Sequence, residues 1–314
     1  MSSSHLAFVF PGQGSQSKGM LFDLSQRFPI IAQTFAEASE GAQLDLWTLV
    51  MSDPDGKLHL TEYTQPALLA ASVALWRCWT SNDGALPKVL AGHSLGEYSA
   101  LVAVGTFDLA DAARLVRLRG QLMQKAVSDK TGAMAAVLGA EDATVAEVCL
   151  EASKSGCVVP ANFNAPGQVV IAGEDVAVAH AIELLQQRGV RKVVRLDVSV
   201  PSHSPLMQNA AQELGEALHT VVMHPPQLPV IHNVDAKIHT QCASIRSALI
   251  EQLYKPVRWT ACIHAAIQMG AGYFIECGPG KVLSGLNKRI DPSIISATLS
   301  SSKDFDAALE CTHV

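Results

Sequence analysis

The chain is short of nearly everything that marks a specialised protein class. Only 17% of its 314 residues are charged, and its 23 basic residues are outnumbered by 29 acidic ones, a net charge of −6. Sequence-independent nucleic-acid binding runs on clustered Lys and Arg, so it is not expected here, and an acidic partner would need a local basic patch. The seven cysteines (Cys78, Cys149, Cys157, Cys242, Cys262, Cys277, Cys311) form no CxxC pair and no zinc-finger spacing. Scattered single cysteines in an apolar-rich chain read as reduced, buried thiols of a cytosolic protein. The longest apolar stretch, Pro66 to Trp76, falls far short of the roughly 18 residues a membrane span needs. Met1-Ser-Ser-Ser-His5 has neither a basic n-region nor an apolar h-region, so no signal peptide is expected. No internal repeat is evident. What is abundant is apolar side chain, 48% of residues with mean hydropathy +0.20. That can bury a large core and excludes a disordered chain. The length fits two domains, or one large domain with an insert. A soluble, cytoplasmic globular protein is expected.

Along the chain, short apolar runs alternate with helical periodicity. Leu6 to Phe10 reads as a buried strand stopped by Pro11-Gly12-Gln13-Gly14, and Pro29 starts a new helix. Thr64 is a plausible N-cap for a buried helix from Gln65 to Trp79. Lys88 to Ala91 reads as a second strand, followed by helices over Ser94 to Val104 and Asp108 to Val127, the latter capped by Asp108. Such alternation predicts a mostly parallel sheet covered on both faces. The middle differs. Gly132 to Leu138 (strand), Glu141 to Ser153 (helix), Cys157 to Phe163 and Gln168 to Ala172 (strands), Glu174 to Gln187 (helix) and Lys192 to Asp197 (strand) spell βαββαβ, the ferredoxin-like unit. The fold class is therefore α/β: a large α/β-hydrolase-like subdomain over residues 1–128 and 199–314, with a ferredoxin-like insert over 129–198. A helix from about Ser204 to Val221, two helices within 243–270, a strand from Tyr273 to Glu276 and a surface helix after Ser300 complete the reading.

Gly92-His93-Ser94-Leu95-Gly96 matches the nucleophile elbow G-x-S-x-G. A serine on a strained strand-to-helix turn is exposed only if small residues two positions to either side let the backbone pass closely. The strand before and the helix after are both in place, although a plain tight turn has the same spelling. The Leu95 amide, at a helix start, can face a developing oxyanion. Of eleven histidines, His93 points poorly for Ser94 and reads as a brace of the turn. His203, in Val200-Pro-Ser-His-Ser-Pro205, lies where the chain returns from the insert and can reach the carboxyl edge of the sheet, where α/β active sites form; the alternative is a solvated loop histidine. No Asp singles itself out as a triad acid. Asp197 is the nearest candidate, and a Ser–His dyad oriented by a carbonyl fits as well. Phe10-Pro-Gly-Gln-Gly-Ser-Gln16 satisfies neither G-x-G-x-x-G nor G-x-x-x-x-G-K-[ST]. It reads as a tight loop beside the elbow, whose Gln13 amide can be a second oxyanion donor. Arg114, Arg117 and Arg119 share one helix, and the stem of Arg119 faces inward beside Leu122 and Met123. It is either a structurally paired arginine or a bidentate clamp on a carboxylate.

With Gly-Gln-Gly-Ser-Gln16, Gly-His-Ser-Leu-Gly-Glu97, Arg119 and Val-Pro-Ser-His203 in this order, the sequence resembles the malonyl-CoA:acyl-carrier-protein transacylases of type II fatty acid synthesis. The resemblance extends to about residue 297. It takes in Thr131-Gly-Ala-Met-Ala135, Asn162-Phe-Asn-Ala-Pro-Gly-Gln-Val-Val170, Gln252-Leu-Tyr-Lys-Pro256 and Glu276-x-Gly-Pro-Gly-Lys-Val-Leu283. It implies that Ser94 is the acylated nucleophile, His203 its base, the Gln13 and Leu95 amides the oxyanion hole, and Arg119 the partner of the malonyl carboxylate. Gln252 matches the position that orients the histidine through a carbonyl. It further implies malonyl-CoA and holo acyl carrier protein as substrates, with no metal and no other cofactor. The enzyme is expected to act as a monomer, binding neither nucleic acid nor membrane. Since acyl carrier proteins are acidic as a class, docking is expected at Arg188, Arg191, Lys192 and Arg195, or at Lys281, Lys288 and Arg289. The rival reading is a thioesterase or esterase built on the same elbow.

Overall fold

The computed structural model describes residues 5–127, 132–198 and 200–312. Strand β1 (Leu6–Phe10) is followed by helices α1 (Phe22–Arg27), α2 (Ile30–Ala42), α3 (Leu46–Met51) and α4 (Thr61–Ser81). Strand β2 (Val89–Gly92) leads into α5 (Gly96–Ala103) and α6 (Leu109–Lys125). After the middle segment come α9 (Gln208–Thr220), β7 (Val230–Ile231), α10 (Cys242–Gln252), α11 (Trp259–Gln268), β8 (Tyr273–Glu276), α12 (Val282–Ile290), β9 (Ile295–Thr298) and α13 (Ser302–Thr312). The five strands β7-β2-β1-β8-β9 form one parallel sheet in that order.

The central strand shows why helices must cover both faces. All five residues of β1 are buried. Leu6, Phe8 and Phe10 point into one core, where Phe8 meets Trp76 and Trp79 of α4 edge-on at 5.2 and 5.3 Å. Ala7 and Val9 point into another, with Trp259 and Ile263 of α11 and Leu283 of α12. A strand apolar at every position has no face to give to water.

The middle segment is β3 (Gly132–Leu138), α7 (Asp142–Ala152), β4 (Val158–Ala165), β5 (Gln168–Glu174), α8 (Asp175–Gln187) and β6 (Lys192–Arg195). Its strands pair antiparallel in the order β4-β5-β3-β6, the ferredoxin-like arrangement. One face packs on α7 and α8; the other carries Met134, Ala161, Val170 and Ala172. The second sheet is tied to the segment before α11, where Phe163 donates to the Val257 carbonyl and the Val257 amide to that of Ala161. Residues 128–131 and Ser199, where the expected subdomain junctions fall, lie outside the described residues.

Two expectations need correction. The fourth helix starts at Thr61, not after Thr64. Pro66 stands in the second turn, and the Thr64 hydroxyl donates to the carbonyls of Leu58 and Leu60 instead of capping. Asp108 holds the cap position of α6 without a side-chain cap bond. The last helix lies at the surface, as expected, and is docked by one face, with Phe305 buried against Phe28 and Trp79 at ring separations of 5.0 and 6.2 Å. Cys78, Cys149, Cys262 and Cys277 are buried in these cores. No helix among the described residues is long and apolar enough to cross a membrane.

Candidate active site

Four loops leaving the carboxyl ends of β1, β2, β7 and β8 converge on one point, as expected where ligands bind to a parallel sheet. The elbow after β2 is as tight as its spelling implies. A Cβ on Gly92 would lie 1.9 Å from the Gly96 carbonyl carbon, and one on Gly96 would lie 2.0 Å from the Phe10 oxygen. Ser94 takes up a left-handed backbone with φ of 52°, rarely adopted by residues with a Cβ. The strain is held by Asn233, whose Oδ1 accepts from the Ser94 amide at 2.7 Å while its Nδ2 donates to the Gly92 carbonyl at 2.7 Å.

His203 meets the elbow from the loop after the insert, itself left-handed with φ of 62°. Its Nε2 lies 2.8 Å from Ser94 Oγ, and its Nδ1 lies 2.6 Å from the backbone oxygen of Gln252. A carbonyl only accepts, so Nδ1 carries the proton and Nε2 turns its lone pair to the serine hydroxyl. Burial and the nearby Arg119 cation push the His203 pKa down to about 3, keeping the imidazole neutral. Asp197 is exposed and makes no bond to His203. The orienting group is therefore a main-chain carbonyl, and the triad alternative does not hold. His93 braces the elbow, its Nε2 2.8 Å from Asn164 Oδ1 on β4.

The three arginines of α6 part company. Arg114 pairs with Asp111, and Arg117 donates to the Ala42 carbonyl at 2.6 Å. Arg119 is 1% exposed. One terminal nitrogen donates to Gln65 Oε1 at 2.9 Å; the other reaches Gln252 Oε1 at 3.0 Å and Ser94 Oγ at 3.3 Å. Its Nε has no partner among the described residues, and the guanidinium lies 5.6 Å from the Tyr98 ring centre. Among the described residues, no carboxylate stands within ion-pair distance of it. Burial lowers its pKa from the ordinary guanidinium value. A buried cation held only by neutral acceptors is an incomplete arrangement that an incoming carboxylate would complete.

Gln13 and Leu95 border the same cleft of about 270 Å³. A Cβ on Gly12 would lie 2.6 Å from the His93 oxygen, so the loop after β1 is pressed onto the elbow. The backbone amides of Gln13 and Leu95 donate to no acceptor among the described residues. The cleft's opposite wall is the free face of the second sheet, with Met134 and Val170, and its rim includes Val282 and Leu286 of α12. That helix is fixed by Glu276, whose carboxylate accepts from the Leu283 and Ser284 amides across the Gly-Pro-Gly turn.

Sequence reasoning brought Ser94, His203, Arg119, Gln13, Leu95 and Gln252 together correctly in space, but it missed the layer beneath them. Glu97, His232 and Asn233 are all fully buried. Glu97 had one signal, a carboxylate inside an otherwise small and apolar helix start; His232 and Asn233 had none. Gln65, on the otherwise apolar α4, was also passed over.

A family model described as an acyl transferase domain matches residues 7–290. The malonyl CoA-acyl carrier protein transacylase of Escherichia coli strain K12 is 49% identical over 307 residues, 98% of this chain and 99% of the relative. That of Bacillus subtilis is 42% identical over 98% of this chain and 97% of the relative. The crystal structure of the transacylase from Xanthomonas oryzae pv. oryzae superposes with a TM-score of 0.97 at 60% identity, covering 99% of each chain. A malonyl-transacylase solved in complex with a holo type II polyketide-synthase acyl-carrier protein superposes at 0.96 with 48% identity, over 98% of this chain and 100% of that one. The chain thus belongs to the acyl transferase domain family and, within it, to the malonyl CoA-acyl carrier protein transacylases.

Proposed function

We propose that this protein transfers a malonyl group from malonyl-CoA to the phosphopantetheine thiol of an acyl carrier protein, through a malonyl ester on Ser94, supplying the extender unit for fatty acid synthesis. The observation that carries the substrate class is Arg119: a buried guanidinium at 3.3 Å from the nucleophile, facing neutral acceptors only. Malonyl is the acyl group that puts a carboxylate one methylene away from the carbonyl under attack. An acetyl group would leave the cation unpaired, and a hydrolase acting on neutral esters has no use for it.

The neutral imidazole of His203 takes the Ser94 proton at Nε2 as Oγ attacks the thioester carbonyl. The Gln13 and Leu95 amides stabilise the tetrahedral oxyanion, a donor pair of the kind whose single members are worth about 10²–10³ in rate elsewhere. His203 returns its proton to the departing coenzyme A sulfur. In the second half the pantetheine thiol gives its proton to His203, its sulfur attacks the ester, and Ser94 leaves and regains the proton. Atoms balance without any redox partner, so we read the reaction as needing no metal and no cofactor beyond the two substrates. We read the protein as a cytoplasmic monomer that meets its carrier at the α12 rim of the cleft.

Intact-protein mass after mixing with malonyl-CoA tests this. We expect a gain of about 86 Da on the wild type and none on Ser94→Ala, discharged by holo but not apo carrier protein. An adduct that decays to free malonate without a thiol acceptor would instead establish a hydrolase.

A further inference from the structure

Three donors converge on the fully buried carboxylate of Glu97. His232 Nδ1 lies 2.6 Å from its Oε1, while the Asn233 amide and Gln252 Nε2 each reach Oε2 at 3.0 Å. The second bond of Gln252 Nε2, at 2.9 Å, goes to the Ser94 carbonyl. Both groups facing Nε2 are acceptors only, so the amide has one stable orientation: nitrogen toward Glu97, oxygen toward Arg119. The reverse would set a carbonyl against a carboxylate on one side and an NH₂ against a guanidinium on the other. His232 is sealed in, its Nε2 lacking a partner among the described residues. Leaving a lone pair unmet is cheaper than leaving a buried N–H⁺ unmet, so a neutral imidazole with its proton on Nδ1 suits this site. Glu97 then faces Arg119 across the Gln252 amide as the sole negative member of the cluster.

From this we infer that Glu97 is a specificity-positioning residue for the malonyl group, acting on Arg119 through the side-chain amide of Gln252. Gln252 thereby has two separate duties: its backbone oxygen orients His203, and its side chain transmits the setting of Glu97 to the guanidinium. The inference rests on Arg119 as the malonyl clamp.

The test compares kcat/KM for malonyl-CoA and acetyl-CoA in the wild type, Glu97→Gln, Gln252→Met, the double variant and Arg119→Ala, with melting temperature measured on each. Gln252→Met keeps the backbone oxygen and removes the amide. For each single variant at 97 and 252 we expect the malonyl-over-acetyl preference to fall roughly 10- to 100-fold, the scale of a lost hydrogen bond to a charged group. The double variant should fall no further than the worse single one, since both changes cut the same connection. Equal losses on both substrates, or additive losses in the double variant, would mean that Glu97 only supports the fold and would overturn the inference. A preference lost in Arg119→Ala but kept in Glu97→Gln overturns the inference alone, whereas a preference unchanged in Arg119→Ala overturns the clamp as well. Should Glu97→Gln fail to fold, Gln252→Met decides by the same ratio.

Discussion

His203 and Arg119 both reach the Oγ of Ser94, and the cation bears on the titration of the histidine. The cation is one of the causes that lower the His203 pKa, after burial itself. A histidine pKa held below its ordinary 6.5 leaves the base unprotonated, and the enzyme active, well into mildly acidic solution. With a neutral acetyl thioester as donor, we expect the acid limb of kcat/KM to lie clearly below pH 6.5 in the wild type and to move up toward it in Arg119→Ala. A limb at the ordinary value in both proteins would contradict the burial of the base. The same shift bears on stability: the unfolded chain binds the proton that the buried imidazole resists, so this contribution is complete above the unfolded value and declines as pH falls toward about 3. Arg119→Ala should also lower malonyl transfer while raising acetyl transfer relative to it, read out by parallel kinetics. The positions of these residues were legible because they sit on contiguous spellings: an elbow, a Val-Pro-Ser-His turn, an arginine with apolar neighbours. Glu97, His232 and Asn233 were not, because their work depends on contacts between positions more than 130 residues apart in sequence, which no local pattern encodes.

At the scale of the element, the elbow works because two backbones touch. Gly96 sits where a Cβ would fall 2.0 Å from the oxygen of Phe10, the last residue of β1. Gly96→Ala must therefore push α5 off the sheet and drag the Ser94 turn with it. We expect a loss of about 1–3 kcal/mol in denaturant unfolding, typical of overpacking, together with loss of acylation. Retained acylation would show the elbow to be more tolerant than its geometry implies. The insert was read from sequence almost element for element, since its strands and helices are short apolar or periodic runs bounded by turn residues. Less legible were the two-residue β7, too short to carry a period, and β9, whose Ile295 is half exposed at the sheet edge. The start of α4 was misplaced because Thr64, a residue type that often caps a helix, here stands inside one with its hydroxyl on the Leu58 and Leu60 carbonyls.

Across the whole molecule, place more than pairing separates the two candidate docking faces: α12 borders the cleft, and none of the four insert cations does. On the insert, Arg188 is engaged by Glu147 and Glu151 and Arg195 by Asp175, while Arg191 and Lys192 are exposed and join no ion pair among the described residues. Near the cleft rim, Lys281 and Lys288 are exposed and join no ion pair among the described residues, and Arg289 contacts only the neutral Gln168. An acidic carrier delivering its pantetheine past Val282 would meet these cations first. Reversing charge at Lys288 and Arg289 should raise KM for the carrier and leave KM for malonyl-CoA unchanged, an effect that added salt should mimic. Equal effects on both substrates would place docking elsewhere.

The buried cysteines acquire a meaning from this chemistry. Thioesters are electrophiles that any accessible thiolate will intercept, and malonyl-CoA brings one into the cleft while the malonylated carrier takes one out. Burial pushes the thiols of Cys78 and Cys149 up to about 12, and those of Cys262 and Cys277 higher still. Four sulfurs within the body of the enzyme are thereby silent as nucleophiles. Chemoselectivity for one serine oxygen is thus a property of the cores as well as of the cleft: the same dry packing that holds the sheet together withholds these four sulfurs from acylation.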